Sequence, residues 1–111
     1  MSKNMKTVEV GKDATGRQLK LEIGDELAIS LHGNPTTGYM WEVDRVDAAI
    51  LQQVGQAEFH PQSELLGAPG VQILRFKAIS AGETSLELAY RRGWEKNTPP
   101  LDRYVIALTV E

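Results

Sequence analysis

Glu26-Leu27-Ala28-Ile29-Ser30-Leu31-His32-Gly33-Asn34-Pro35-Thr36-Thr37-Gly38-Tyr39-Met40-Trp41-Glu42-Val43-Asp44 decides the fold. Leu27, Ile29 and Leu31 alternate with smaller or polar residues, and Tyr39, Trp41 and Val43 repeat that pattern. A period of two places one set of side chains on one face of a strand. Between the two runs, Gly33–Tyr39 is built almost wholly of turn formers. Proline fixes φ, biases the residue before it toward extended geometry, and sits beside two stiff β-branched threonines. The loop therefore has little freedom to lose and is expected to display two hydroxyls and a proline ring. Its own chemistry leaves two readings open, a plain connection and a recognition loop that binds at low ordering cost.

The alternation continues in both directions. Upstream, Val8 and Val10 are in phase, and Leu19, Leu21 and Ile23 form a second apolar series. Residues 47–54 read as an irregular connection into a strand, followed by a strand over 56–61 with Ala57 and Phe59 in phase. Val71–Ile79 puts Gln72, Leu74, Phe76 and Ala78 on one face. Leu86, Leu88 and Tyr90 follow, then Tyr104, Ile106, Leu108 and Val110. Seven or eight short strands with regular turn signals and no long helix predict an all-β antiparallel sandwich, with a barrel as the second architecture. In an antiparallel meander, evenly spaced connections leave from one end. This places the loops 33–39, 62–70 and 91–102 together.

The chain has 111 residues, 41% of them hydrophobic and 24% charged, which suits one domain over 1–111 with one core. Residues 1–5 are expected to be disordered or to belong to a re-engineered start, given the second methionine at Met5. The net charge of −3 comes with no basic stripe, which argues against nucleic acid as a partner. No apolar run approaches membrane-spanning length. The location expected is periplasmic or secreted if a signal peptide was removed, and cytoplasmic otherwise.

Enzyme chemistry finds no positive support. There are no cysteines, which removes thiol catalysis and thiolate metal sites. His32 and His60 stand far apart and form no metal signature. No nucleophile-elbow pattern surrounds Ser30, Ser63, Ser80 or Ser85. Gly67-Ala68-Pro69-Gly70 is too short for a phosphate loop. No metal and no cofactor are expected. Trp41 lies in a core phase. Trp94 lies in a polar loop, where it either folds over the end of the sandwich or serves as a binding hot spot.

Three loops together carry a match that none carries alone. Asn34-Pro35-Thr36-Thr37-Gly38-Tyr39, leading into Trp41, resembles the Asn-Pro-Thr-Thr-Gly-aromatic motif of the chagasin family. Leu65-Leu66-Gly67-Ala68-Pro69-Gly70 resembles its glycine-rich second loop, and Tyr90-Arg91-Arg92-Gly93-Trp94 its third, where Arg-Pro-Trp is usual. The resemblance runs from about Gly24 onward. It implies an immunoglobulin-like sandwich and a monomeric, reversible, non-covalent inhibitor that wedges three loops into the cleft of papain-like, cathepsin-like cysteine proteases.

Carried over, Thr36 lies nearest the catalytic cysteine with Thr37 beside it. Asn34 and Gly38 hold the loop's shape, both counting with Pro35 among the protease-binding residues, and Tyr39 anchors the loop's base. Leu65, Leu66, Gly67 and Ala68 supply contact on one side of the cleft, and Arg92 and Trp94 on the other. Two positions depart from the family pattern: Pro69 stands where glycine is usual, and Gly93 where proline is usual. The rival reading is a non-inhibitory sandwich module for adhesion or carbohydrate binding.

Overall fold

The structure is a computed structural model that describes residues 6–63, 68–95 and 97–111, with the backbone alone at Pro35. Residues 1–5 and the second-loop residues Leu65, Leu66 and Gly67 lie outside the described residues.

Among the described residues, nine strands form two sheets. They are β1 (Thr7–Val10), β2 (Gln18–Leu21), β3 (Glu26–Gly33), β4 (Tyr39–Arg45), β5 (Leu51–Gln53), β6 (Glu58–Pro61), β7 (Gly70–Ala78), β8 (Gly82–Arg92) and β9 (Asp102–Val110). The first sheet runs β1-β3-β7-β5, with β6 also paired to β7; the second runs β2-β9-β8-β4. The count exceeds expectation because β5 and β6 are short segments that share β7 as their partner.

The alternating residues meet between the sheets. Leu27, Ile29, Leu31, Leu74, Phe76 and Ala78 from the first sheet pack with Trp41, Leu86, Leu88, Tyr104, Ile106, Leu108 and Val110 from the second. Each fully buried large apolar side chain contributes about 1.5–3 kcal/mol relative to exposure. The Tyr104 hydroxyl donates to Gly11 O at 3.0 Å, and burial pushes its phenol up to about 12.

Three expectations change. Two pairings are parallel, β1 with β3 and β2 with β9, because the chain passes between the sheets after β1 instead of turning back in a hairpin. Ile23 is 44% exposed: β2 ends at Leu21, and the chain turns through Gly24 at φ +98°. The chain is also not a meander, since β3 and β4 belong to different sheets.

Gln72 is the polar residue in an apolar phase, and it is buried. Its side-chain amide donates to Trp41 O at 2.7 Å and accepts from Trp41 N at 2.9 Å. β4 is an edge strand, so one side chain of the first sheet satisfies backbone groups at the edge of the second.

Candidate functional site

Strand registers bring the three loops together. Gly33 at the end of β3 pairs with Gly70 at the start of β7, and Gly70 also pairs with Pro61 at the end of β6. In the second sheet, Tyr39 at the start of β4 pairs with Arg92 at the end of β8. The connection 34–38 therefore straps one sheet to the other, with the second loop at its first end and the third at its last. The ladders reach further than expected, so the loops proper are 34–38, 62–69 and 93–101.

The first loop is a single 3-10 turn over Pro35–Thr37. Asn34 caps it: its side-chain oxygen accepts from Thr36 N at 3.2 Å and from Thr36 Oγ1 at 2.5 Å. Asn34 O accepts from Thr37 N at 3.1 Å and from Thr37 Oγ1 at 2.7 Å. An Asx-type cap of this kind satisfies donors at the start of the turn. Both threonines are exposed, yet their hydroxyl hydrogens are directed into the loop and not offered outward. The loop is then anchored from below. Asn34 N donates to the Tyr90 hydroxyl at 3.3 Å, and the indole Nε1 of Trp41 donates to His32 O at 3.1 Å.

Arg92 braces the first loop to the third. Its Nε donates to Thr37 O at 3.1 Å, and its Nη1 lies 3.1 Å from Glu95 Oε1. Its guanidinium carbon sits 4.6 Å from the centre of the Tyr39 ring and 5.9 Å from that of Trp94. Tyr39 in turn stacks on Tyr90 at 5.4 Å. Arg92 thus has an internal task as well as the partner contact expected of it, and Tyr39 lies between Arg92 and Tyr90 at the base of the loop. Trp94 is 70% exposed, and its ring lies against Gly38. Gly38 has φ +85°, and a Cβ there would overlap Trp94 Cη2.

At the second loop the described ends are Gln62, Ser63, Ala68 and Pro69. Gln62 N donates to Pro69 O at 3.1 Å and closes the base. A Cβ on Gly70 would run into His60 O and would come within 2.7 Å of Phe59 Cζ and Pro61 Cα, so only glycine lets β6 and β7 approach here. Beneath, Arg75 Nε donates to Glu58 Oε2 at 2.8 Å, and His60 Nε2 lies 3.2 Å from Glu58 Oε1. The Arg75 hydrogen bond, helped by that of His60, holds the Glu58 carboxyl below its usual range. Among the described residues no group of three or more His, Cys, Asp or Glu could hold a metal ion.

Residues 20–108 match the model of the chagasin family of peptidase inhibitors. The chain belongs to that family. It is 35% identical over 85 residues to Amoebiasin-2 of Entamoeba histolytica, covering 75% of this chain and 68% of that one. Its fold superposes at a TM-score of 0.85 on the crystal structure of the cysteine protease inhibitor EhICP2 from Entamoeba histolytica, with 23% identity, covering 99% of this chain and 100% of the other. The structure of PbICP-C in complex with falcipain-2 gives a TM-score of 0.63 at 20% identity, covering 96% and 99%. The chain is thus an immunoglobulin-like sandwich and a protease inhibitor, not an enzyme. The adhesion and carbohydrate-binding reading finds no support.

The departure at Gly93 now has a structural context. Glu95 N donates to Arg92 O at 3.0 Å, which makes Gly93 and Trp94 the central pair of a β-turn. Neither has a positive φ, which leaves the type I arrangement, where proline is favoured at the first central position. Open space surrounds a Cβ at Gly93, and Arg92 before it is extended. Gly93→Pro is therefore expected to restrict the unfolded chain without native strain, stabilising the loop by about 0.4–1 kcal/mol. The thermal midpoint should rise by about 2–6 °C, and the inhibition constant against papain should not rise. A rise in that constant would mean that Trp94 needs the freedom that glycine gives it.

Proposed function

We propose that the loops 34–38, 62–69 and 93–101 form a wedge that closes the cleft of papain-like cysteine proteases, with Thr36 over the catalytic thiolate. The observation that carries this reading is the cross-bracing of the first and third loops, Arg92 to Thr37 O and the Trp94 ring against Gly38. Loops already fixed to one another lose little freedom on binding, and the ordering cost of association falls accordingly.

A substrate peptide lies extended in such a cleft and is attacked at its carbonyl carbon by a thiolate held beside a protonated histidine. The first loop offers a 3-10 turn in place of an extended strand. Its Asn34 and Thr37 carbonyls are occupied by internal hydrogen bonds. A carbonyl held in this way stands away from the near-attack geometry on which acyl transfer depends. The inhibitor blocks the cleft, is not cut, and dissociates unchanged. Leu65, Leu66, Gly67 and Ala68 contact one wall, and Trp94 stacks on the other.

Papain titrated with the protein should lose activity at one equivalent, and the inhibitor should be recovered intact by mass spectrometry. Thr36→Ala and Trp94→Ala should each raise the inhibition constant roughly ten-fold, as central interface residues do. Full activity of papain and of several cathepsins at excess inhibitor defeats the proposal. Inhibition that neither variant changes defeats the loop assignment alone.

A further inference from the structure

Lys12 lies eight positions ahead of the stretch that matches the family model, in the connection between β1 and β2. That connection contains a 3-10 turn at Lys12–Ala14 and is bonded to β9. Gly16 N donates to Val105 O at 2.6 Å, Val105 N to Thr15 Oγ1 at 3.1 Å, and Tyr104 Oη to Gly11 O at 3.0 Å. Ala14 is buried in the core beneath it. The position of Lys12 is therefore set by the fold.

Its ammonium group is directed at two parts of the inhibitory end. Nζ lies 2.6 Å from Asp102 Oδ2 and 3.4 Å from Arg103 O, where the third loop re-enters the sheet. It also stands 5.1 Å from the centre of the Trp41 ring, whose indole nitrogen holds His32 O at the root of the first loop. An ammonium ion has three donors and no acceptor, and a tryptophan face attracts it. Asp102 itself is paired with Tyr90, and Leu101 N beside it donates to Tyr90 O at 2.8 Å. Tyr90 is the residue whose hydroxyl receives Asn34 N.

We propose that Lys12 is a positioning residue for the inhibitory end, tying the first residue of β9, where the third loop ends, to the tryptophan beneath the first loop. It touches no protease. It fixes Asp102 relative to Trp41, and through them the spacing of the two loops. The segment before β2, which the family match omits, becomes part of the inhibitor's working apparatus. The proposal rests on the wedge reading for its effect on inhibition, but not for its effect on the loops themselves.

Lys12→Met keeps an unbranched apolar stem over the Trp41 ring and removes the charge; Lys12→Arg keeps the charge. Two measurements decide: the inhibition constant against papain at low salt, and hydrogen exchange of the Leu101 amide and the Trp41 indole in the free protein. Lys12→Met should raise the inhibition constant about three- to ten-fold and speed both exchanges by a similar factor. Exchange in the middle of β7 should not change. Lys12→Arg should stay within about two-fold of the wild type. Asp102→Asn, which spares the Trp41 contact, should move both readouts in the same direction by less than Lys12→Met, and the double variant should be no worse than Lys12→Met, which already removes the Asp102 contact.

Wild-type exchange at Leu101 and Trp41 in Lys12→Met, with an unchanged inhibition constant, overturns the proposal. So does a general acceleration across β7, which would make Lys12 a contributor to global stability only. If Lys12→Met does not fold, Asp102→Asn carries both measurements. If the wild-type protein inhibits no papain-like enzyme, the wedge reading fails, and the exchange arm still judges the role of Lys12.

Discussion

Gly38→Ala should weaken inhibition of papain roughly 100-fold while leaving the sandwich folded. Two effects multiply. The backbone at position 38 has φ +85°, in the left-handed region, where an L-residue costs about 1–2 kcal/mol. The free loop relieves that strain by moving, and restoring the bound shape costs about ten-fold in affinity. The added methyl would also overlap the Trp94 ring, which must swing away. Losing a placed tryptophan costs roughly a further ten-fold. Gly33→Ala is the matched control. Its φ is not positive, and the nearest atoms to a Cβ there are Gln72 Oε1 and Tyr90 Cε1 at 3.8 Å, an ordinary contact. A Gly38→Ala protein that inhibits within two-fold of the wild type would show that neither the turn nor the Trp94 contact matters for binding.

Gln72→Leu should be the most destabilising single substitution of comparable size in the interior. Leucine nearly matches glutamine in volume, so the loss is that of two hydrogen bonds. Trp41 N and O would be left buried without their partners, at about 1–3 kcal/mol each. A total of about 3 kcal/mol lowers the thermal midpoint by about 10 °C in a domain of this size, measurable by circular dichroism. Gln72→Glu separates donor from acceptor. A carboxylate cannot donate to Trp41 O, whereas a protonated carboxyl can. The folded state therefore favours the proton and raises the pKa at position 72 above its unfolded value. The stability regained is fully present below the unfolded value and is lost as pH rises through the folded one. Equal midpoints for Gln72→Leu and the wild type would mean that water replaces the amide at the β4 edge.

Strand phase was legible in most of the strands, Ile23 being an exception, because one buried face imposes a period of two. Leu27, Ile29, Leu31, Leu74, Phe76, Leu86, Leu88, Tyr104, Ile106, Leu108 and Val110 are all buried as their spacing predicts. Pairing was not legible, since parallel and antiparallel ladders leave the same alternation, and β1 and β2 read like any other strands. Gln72 did carry a signal. A glutamine in phase with Leu74 and Phe76 is a buried amide in need of partners, although nothing local named Trp41 as that partner. The inward threonine hydroxyls were foreshadowed by Asn34, two residues before Thr36, in the spacing of an Asx turn. The task of Arg92 was invisible, because Thr37 and Tyr39 are more than fifty residues away in the chain. The loops do leave from one end, but registers and a crossing strap place them there, not evenly spaced hairpins.

That strap has a consequence for the interior. The connection 34–38 is held at Gly33 by one sheet and at Tyr39 by the other, with only five residues between them. It works like the jaws of a caliper: its span follows the thickness of the filling between the layers. A side chain such as Leu31, buried between the layers two residues before Gly33, helps set that thickness. Evolution could retune the bite of this inhibitor on different proteases by resizing its interior, with every residue at the tip left as it is.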